Sequence, residues 1–351
     1  MTLAQAPRAP RSTLAIAALL LPLLLSTAHA ARSTAVVSDP RYASAQRRVD
    51  IGNDRHLNIV CMGAGTPTVV FDAGLANWSQ IWGLVQPAIA RRTRACAYDR
   101  AGLGFSDAAR RDGSSANIVD DLQRLLVAAG IKPPYVLVGH SYGGMSMRLY
   151  ANLHREQVAG MVLVDPSTED LAPPRTALPP AVAAQRAQER ALAERNAQRC
   201  IAAAEAGFVA GSDTSKACVS EGSNRRYSAA INAVYGRLQR SAAFLKARWS
   251  EEVAFDASSA DELSASTRTY DRMPLVVLTS YEAAMDPANG GYVRAHDAIA
   301  ALSSRGSHRI VPESSHDIFF DQPQAVIGAI EEVLDAIARP DKSFRSSARS
   351  R

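Results

Sequence analysis

Gly139-His140-Ser141-Tyr142-Gly143 is a G-x-S-x-G pentapeptide, followed by Gly144 and preceded by the apolar run Tyr135–Val138. A strand that turns sharply into a helix at such a site holds its serine in a strained backbone conformation. Small flanking residues let that turn close. A serine hydroxyl is a poor nucleophile and needs a base within hydrogen-bond reach. Of the seven histidines, His29 lies near the N-terminus, His56 and His308 open strands, His140 is part of the elbow, and His154 and His296 belong to helices. His316 stands apart, in the polar loop Ser314-Ser315-His316 between the last strand and Ile318-Phe319-Phe320. In a parallel sheet that loop opens on the same edge as the elbow. A third group, an acid, must fix the histidine tautomer and stabilise its imidazolium. Asp165 ends a strand 24 residues after Ser141, the length of a helix plus a strand returning to that edge, and is the first choice. Asp286, Glu282 and Asp170 stay open as alternatives.

The elements that must position these residues follow from hydrophobic runs. Arg48–Ile51 and His56–Cys61 form an opening strand pair, and Thr68–Asp72, Ala95–Asp99, Tyr135–Val138 and Met161–Asp165 are further strands. Helices are expected over Trp78–Arg91, from the Ser114 cap to Ala129, and over Met145–His154. Continuous apolar strands alternating with helices argue for a parallel sheet covered on both faces. The alternation stops at Pro166 and resumes with Leu275–Thr279, a helix near 291–303, a strand at 308–312 and a last helix at 323–338. Residues 167–272, rich in Ala, Arg, Gln and Glu, read as a helical insertion with helices near 180–206 and 225–249. It is too long and structured for a loop. Its Ala-rich, polar faces suggest that it buries little and stands apart from the sheet.

The formal charge of +5 sits at the two ends of the chain. Residues 31–340 sum to zero, so the body offers no charge argument for binding nucleic acid. Residues 1–30 read as an export signal: Arg8 and Arg11, a 12-residue apolar run from Leu14 to Leu25, and Ala28-His29-Ala30 as an A-x-A cleavage site. Twelve residues fall short of the roughly 20 that a membrane span needs. A soluble periplasmic or secreted protein is therefore expected after signal removal, with a basic disordered tail at 339–351. The sequon Asn77-Trp78-Ser79 lies where a glycan would block the mouth of the elbow, and is read as chance in a bacterial chain. Export permits disulfides, and pairing by region joins Cys61 with Cys96 and Cys200 with Cys218; four free thiols are the alternative. Metalloprotease, phosphate-loop and complete dinucleotide motifs do not occur, and no cofactor or metal is expected.

Several pieces together resemble the α/β-hydrolase family, over most of residues 48–338. They are Phe71-Asp72-Ala73-Gly74 ahead of a Trp-containing helix, Tyr98-Asp99-Arg100-Ala101-Gly102-Leu103-Gly104-Phe105-Ser106, the elbow at 139–144, Val164-Asp165-Pro166 and Ser315-His316. The chain looks like the exported, lid-bearing serine-esterase branch. The resemblance implies a mostly parallel eight-stranded sheet flanked by helices, with core parts at 31–166 and 273–338 and a helical lid inserted after the sixth strand. Its strand order would set the Cys61 strand beside the Cys96 strand. It implies oxyanion donors at the Tyr142 amide and at Leu75, in Ala73-Gly74-Leu75, where the family usually carries His-Gly-x and this chain departs at the histidine. Many family members keep their acid after the seventh strand, which keeps Asp286 in play. The expected function is hydrolysis of a small or medium carboxylic ester through an acyl-enzyme on Ser141, with His316 as general base. Related sites also cleave amide, thioester and carbon–carbon bonds, and a non-catalytic pocket-binding protein is the competing class. The expected partner is a small acyl substrate.

Overall fold

In the computed structural model, which describes residues 31–169, 179–209, 211–219, 224–286 and 290–339, the apolar runs become strands buried on both faces. The elements run β1 (Arg47–Asp50), β2 (His56–Met62), β3 (Thr68–Asp72), α1 (Gln86–Ile89), β4 (Ala95–Tyr98), α2 (Ser115–Ala128), β5 (Tyr135–His140), α3 (Tyr142–Leu153) and β6 (Val158–Val164). The insertion carries α4 (Pro180–Ala206), α5 (Asp213–Cys218), α6 (Ala229–Gln239), α7 (Ala242–Ala254) and α8 (Ala260–Ser266). The chain then closes with β7 (Leu275–Ser280), α9 (Tyr281–Met285), α10 (Gly290–Ala301), β8 (Gly306–Val311), α11 (Ile318–Asp321) and α12 (Pro323–Ala338). One eight-stranded sheet has the order β1-β2-β4-β3-β5-β6-β7-β8. The β1–β2 and β2–β4 pairs are antiparallel and all others parallel.

Strand side chains alternate between faces, and each face builds its own core. Val70, Leu137, Met161 and Val277 pack with Leu122, Leu125 and Met145 of α2 and α3. Phe71, Val138, Val162 and Val276 pack with Trp82, Phe319, Val326 and Ile330 on the opposite face. Cys61 and Cys96 are register partners on β2 and β4 and form a disulfide. Cys200–Cys218 joins α4 to α5.

Two expectations change. The helix expected over 78–91 is a 3₁₀ turn, Ser79–Leu84, followed by α1. Pro87, lacking an amide hydrogen, is tolerated only in a helix's first turn, so one continuous helix cannot pass through it. The insertion does not stand apart as a whole. On α4 none of the helix residues is buried. By contrast Phe244, Leu245 and Ala247 of α7 pack on Trp78 and Leu103, and Leu263 of α8 enters the main core. Between them a π-helical turn, Phe255–Ser259, shifts the helix phase. It delivers the Ser259 hydroxyl to the Ser115 amide at 3.0 Å. Residues 1–30, Asp170 and 340–351 lie outside the described residues.

Candidate active site

The elbow is built by close backbone approach. Ser141 takes φ +51° and ψ −123° between β5 and α3. A Cβ on Gly139 would stand 2.6 Å from the Gly143 carbonyl oxygen, and one on Gly143 would stand 2.4 Å from that of Ala73. No side chain fits either place. The Ser141 amide donates to the Val164 carbonyl at 3.2 Å, so the end of β6 is tied to the elbow.

Directly after that strand end, Asp165 takes φ +44°, and its amide donates to the Leu278 carbonyl at 2.7 Å. Its buried carboxylate accepts three hydrogen bonds. His316 Nδ1 donates to Oδ2 at 2.6 Å, the Ser280 hydroxyl donates to Oδ2 at 2.9 Å, and the Ser280 amide donates to Oδ1 at 2.9 Å. The His316 side chain is 52% exposed. Burial works to lower its pKa, but the hydrogen bond and charge of Asp165, with the charge of Asp317, outweigh burial and leave it raised. Asp286 ends α9 and borders the same cleft as His316 and Asp165. The elbow's other histidine, His140, lies under His316 with ring centroids 4.6 Å apart. Its Nε2 donates to the His316 carbonyl at 3.1 Å, and burial drives its pKa well down, so it is neutral. The loop is held from its far side by buried Asp321, which accepts from the Ser315 amide (2.9 Å), the Ser315 hydroxyl (2.6 Å) and Arg226 of the insertion.

With Nδ1 committed to Asp165, His316 has Nε2 for proton transfer. Among the described residues the nearest hydrogen-bonding neighbour of Ser141 Oγ is Ser167 Oγ, at 3.4 Å, rather than His316. Such bonds commonly tighten only when substrate is bound.

The loop after β3 lies against Ser141: a Cβ on Gly74 would stand 3.2 Å from Ser141 Cβ. Among the described residues no protein acceptor takes the Leu75 or Tyr142 amide. The loop is clamped by Arg100, whose guanidinium donates to Asp72 Oδ1 (2.7 Å), to the Ala73 and Gly74 carbonyls (2.6 and 2.8 Å) and to both Glu251 oxygens (2.7 and 2.9 Å). Glu251, on α7, also accepts from the Ala76 amide at 2.8 Å. Burial raises the Asp72 pKa despite Arg100. The Tyr142 side chain is structural: its hydroxyl donates to the Gly113 carbonyl at 2.7 Å and meets Ser259 Oγ at 2.7 Å.

The structure thus brings Ser141, Asp165, His316, Leu75 and Tyr142 to one edge of the sheet. Ser280, Asp321, Arg100 and Glu251 were not found from sequence. Arg100 sits in a motif that could have signalled it, whereas Glu251 comes from 151 residues away with no local pattern. Among the described residues no three His, Cys, Asp or Glu side chains converge as a metal site, and no helix is long and apolar enough to cross a membrane.

A sheet of this order with an elbow after β5 defines a class, and residues 67–323 match the alpha/beta hydrolase fold family. The chain belongs to that family. It is 38% identical over 110 residues to the uncharacterised protein YqjL of Bacillus subtilis (strain 168), covering 31% of this chain and 44% of that one. The chain thus spans less than half the length of this curated relative. Among solved structures it resembles the epoxide hydrolase CorEH, with TM-score 0.59 and 18% identity over 83% of this chain and 99% of that one. It also resembles a thermophilic esterase from Thermogutta terrifontis, with TM-score 0.56 and 18% identity over 84% and 99%. At such identities the likeness is one of fold.

Proposed function

We propose that this protein is a serine hydrolase of carboxylic esters, exported to the periplasm or beyond. Ser141 Oγ attacks the acyl carbonyl while His316 Nε2 takes its proton. The Leu75 and Tyr142 amides receive the oxyanion, and Asp165 stabilises the imidazolium. Collapse of the tetrahedral intermediate breaks the ester C–O bond, and the His316 proton passes to the departing alkoxide. Water, deprotonated by His316, then attacks the acyl-enzyme, and release of the acid restores Ser141. The observation that carries the reading is the 2.6 Å Asp165–His316 hydrogen bond on the edge where Ser141 holds its strained turn. A serine at the elbow sets the site apart from hydrolases that attack with a carboxylate. The Ala-rich, charged insertion favours small or medium esters.

The test is a panel of p-nitrophenyl esters of graded chain length, with matched anilides and thioesters, against purified protein lacking residues 1–30. Saturable turnover is expected on esters of short to medium chain, falling as the chain lengthens. Anilide or thioester turnover above ester turnover would reassign the bond cleaved. No turnover on any member, with folded protein, would favour a binding role.

A further inference from the structure

Behind the Asp165–Pro166 turn, away from His316, lies a second polar assembly that the mechanism does not use. His296 Nε2 faces the Pro166 carbonyl at 2.8 Å, and His296 Nδ1 faces Thr279 Oγ1 at 2.6 Å. Thr279 Oγ1 in turn meets His308 Nε2 at 2.6 Å, and His308 Nδ1 meets Asp297 Oδ1 at 2.7 Å. Thr279 is on β7, His308 on β8, and His296 and Asp297 on α10. Thr279 and His296 are fully buried, whereas the Asp297 side chain is 65% exposed.

We propose that this chain, Asp297–His308–Thr279–His296, is a hydrogen-bonded brace that positions the Asp165–Pro166 turn, making Thr279, His296 and His308 positioning residues for the reaction. The inference rests on Asp165 being the acid of the proposed hydrolase.

Both ends of the brace are acceptors, a carbonyl and a carboxylate. The carbonyl end sets the order of donors, because Pro166 can only accept. Burial pushes the His296 pKa down to about 4, so that ring is neutral, and facing the Pro166 carbonyl with Nε2–H it leaves Nδ1 to accept from the Thr279 hydroxyl. Thr279 then accepts from His308 Nε2 and donates to His296 Nδ1. That leaves His296 as the neutral Nε2–H tautomer, the one form that can donate to the Pro166 carbonyl.

The turn needs such support. Asp165 is a non-glycine residue at positive φ, a conformation that persists only when its surroundings hold it. Pro166 has no amide hydrogen with which to tie itself down. Tyr292, one helical turn before His296 on α10, donates from its hydroxyl to the Asp165 carbonyl at 3.0 Å. One face of α10 thus grips two successive carbonyls, and the brace sets the height of that grip relative to β7 and β8.

Thr279→Val removes the central hydroxyl and keeps the shape, while Thr279→Ser keeps the hydroxyl. Two readouts are followed: the downfield proton resonance of the short His316–Asp165 hydrogen bond, which needs no substrate, and kcat against KM on p-nitrophenyl acetate. In Thr279→Val we expect the resonance to shift or broaden and kcat to fall roughly 10- to 100-fold, with KM within about twofold. Thr279→Ser should restore both. The surface variant Asp297→Ala covers the case in which Thr279→Val does not fold, and should displace the same resonance to a smaller extent. An unmoved resonance and wild-type kcat in a folded Thr279→Val, or in Asp297→Ala should the former not fold, would overturn the brace. If Asp165 is not the acid of an esterase, Asp165→Asn leaves turnover intact, which separates that failure from this one.

Discussion

Arg100→Lys keeps the positive charge under the loop after β3, the proposed oxyanion loop, and removes the fork that shapes it. The guanidinium donates five hydrogen bonds, two of them to the Ala73 and Gly74 carbonyls and three to Asp72 and Glu251. A lysine ammonium has three donors, so at least two of the five buried hydrogen bonds are lost. Each such loss costs about 1–3 kcal/mol, or about 2–6 kcal/mol together. At about 2 °C per kcal/mol for a chain of this size, the melting temperature should drop roughly 4–12 °C. The same loosening frees Gly74 and Leu75 beside Ser141, so kcat should fall toward the roughly 10²- to 10³-fold loss expected on removing an oxyanion donor, with KM less affected. Thermal unfolding and ester kinetics on the same preparation measure both, with Arg124→Lys on the exposed face of α2 as the control. A variant that melts within about 2 °C of wild type and turns over normally would show that the fork does not hold the loop.

Asp165→Asn should lower kcat by roughly 10³- to 10⁴-fold by favouring the wrong His316 tautomer, while Asp286→Asn leaves turnover near wild type. The reverse pattern would move the acid to Asp286. Because the His316 pKa is raised, the acid limb of kcat/KM should titrate above 6.5, the ordinary histidine value, and move lower in Asp165→Asn. The stability from this pair is complete below 6.5, where His316 is charged whether folded or unfolded, and is lost as pH rises through the raised folded value. Melting curves across that interval check the sign. Cys200→Ser/Cys218→Ser opens a loop of 18 residues, worth about 3 kcal/mol. Because α4 is exposed, faster proteolysis of α4 should precede any change in the global melting temperature.

Ser141 and His316, the proposed nucleophile and base, could be singled out because both sit in local patterns: glycines around a serine after an apolar strand, and a histidine after the last strand. Asp165, the proposed acid, could be singled out only within a short set of candidates. The hydrogen-bond partners of a strand-end carboxylate, such as Ser280, are set by the β6–β7 register rather than by nearby sequence. Arg100 follows Asp99 directly, so adjacency alone points to the wrong partner. In the structure Asp99 instead accepts from the Ser79 and Phe105 amides and Asn58, and Arg100 turns to Asp72 and Glu251. The apolar face of α7 and α8 was missed for a physical reason. The π-helical turn at Phe255–Ser259 breaks the 3.6-residue period on which such faces are recognised. Likewise His296 and His308 read as ordinary helix and strand residues because Thr279, which joins them, lies far from both in the chain.

The central claim is that Ser141 is an activated nucleophile, and a fluorophosphonate tests it without knowledge of the substrate. Protein lacking residues 1–30 is treated with the probe at neutral pH, weighed intact and peptide-mapped. One adduct is predicted, on Ser141, absent from Ser141→Ala and formed far more slowly in His316→Ala. No adduct on folded wild-type protein, or an adduct mapped to another serine such as Ser167, would contradict the account.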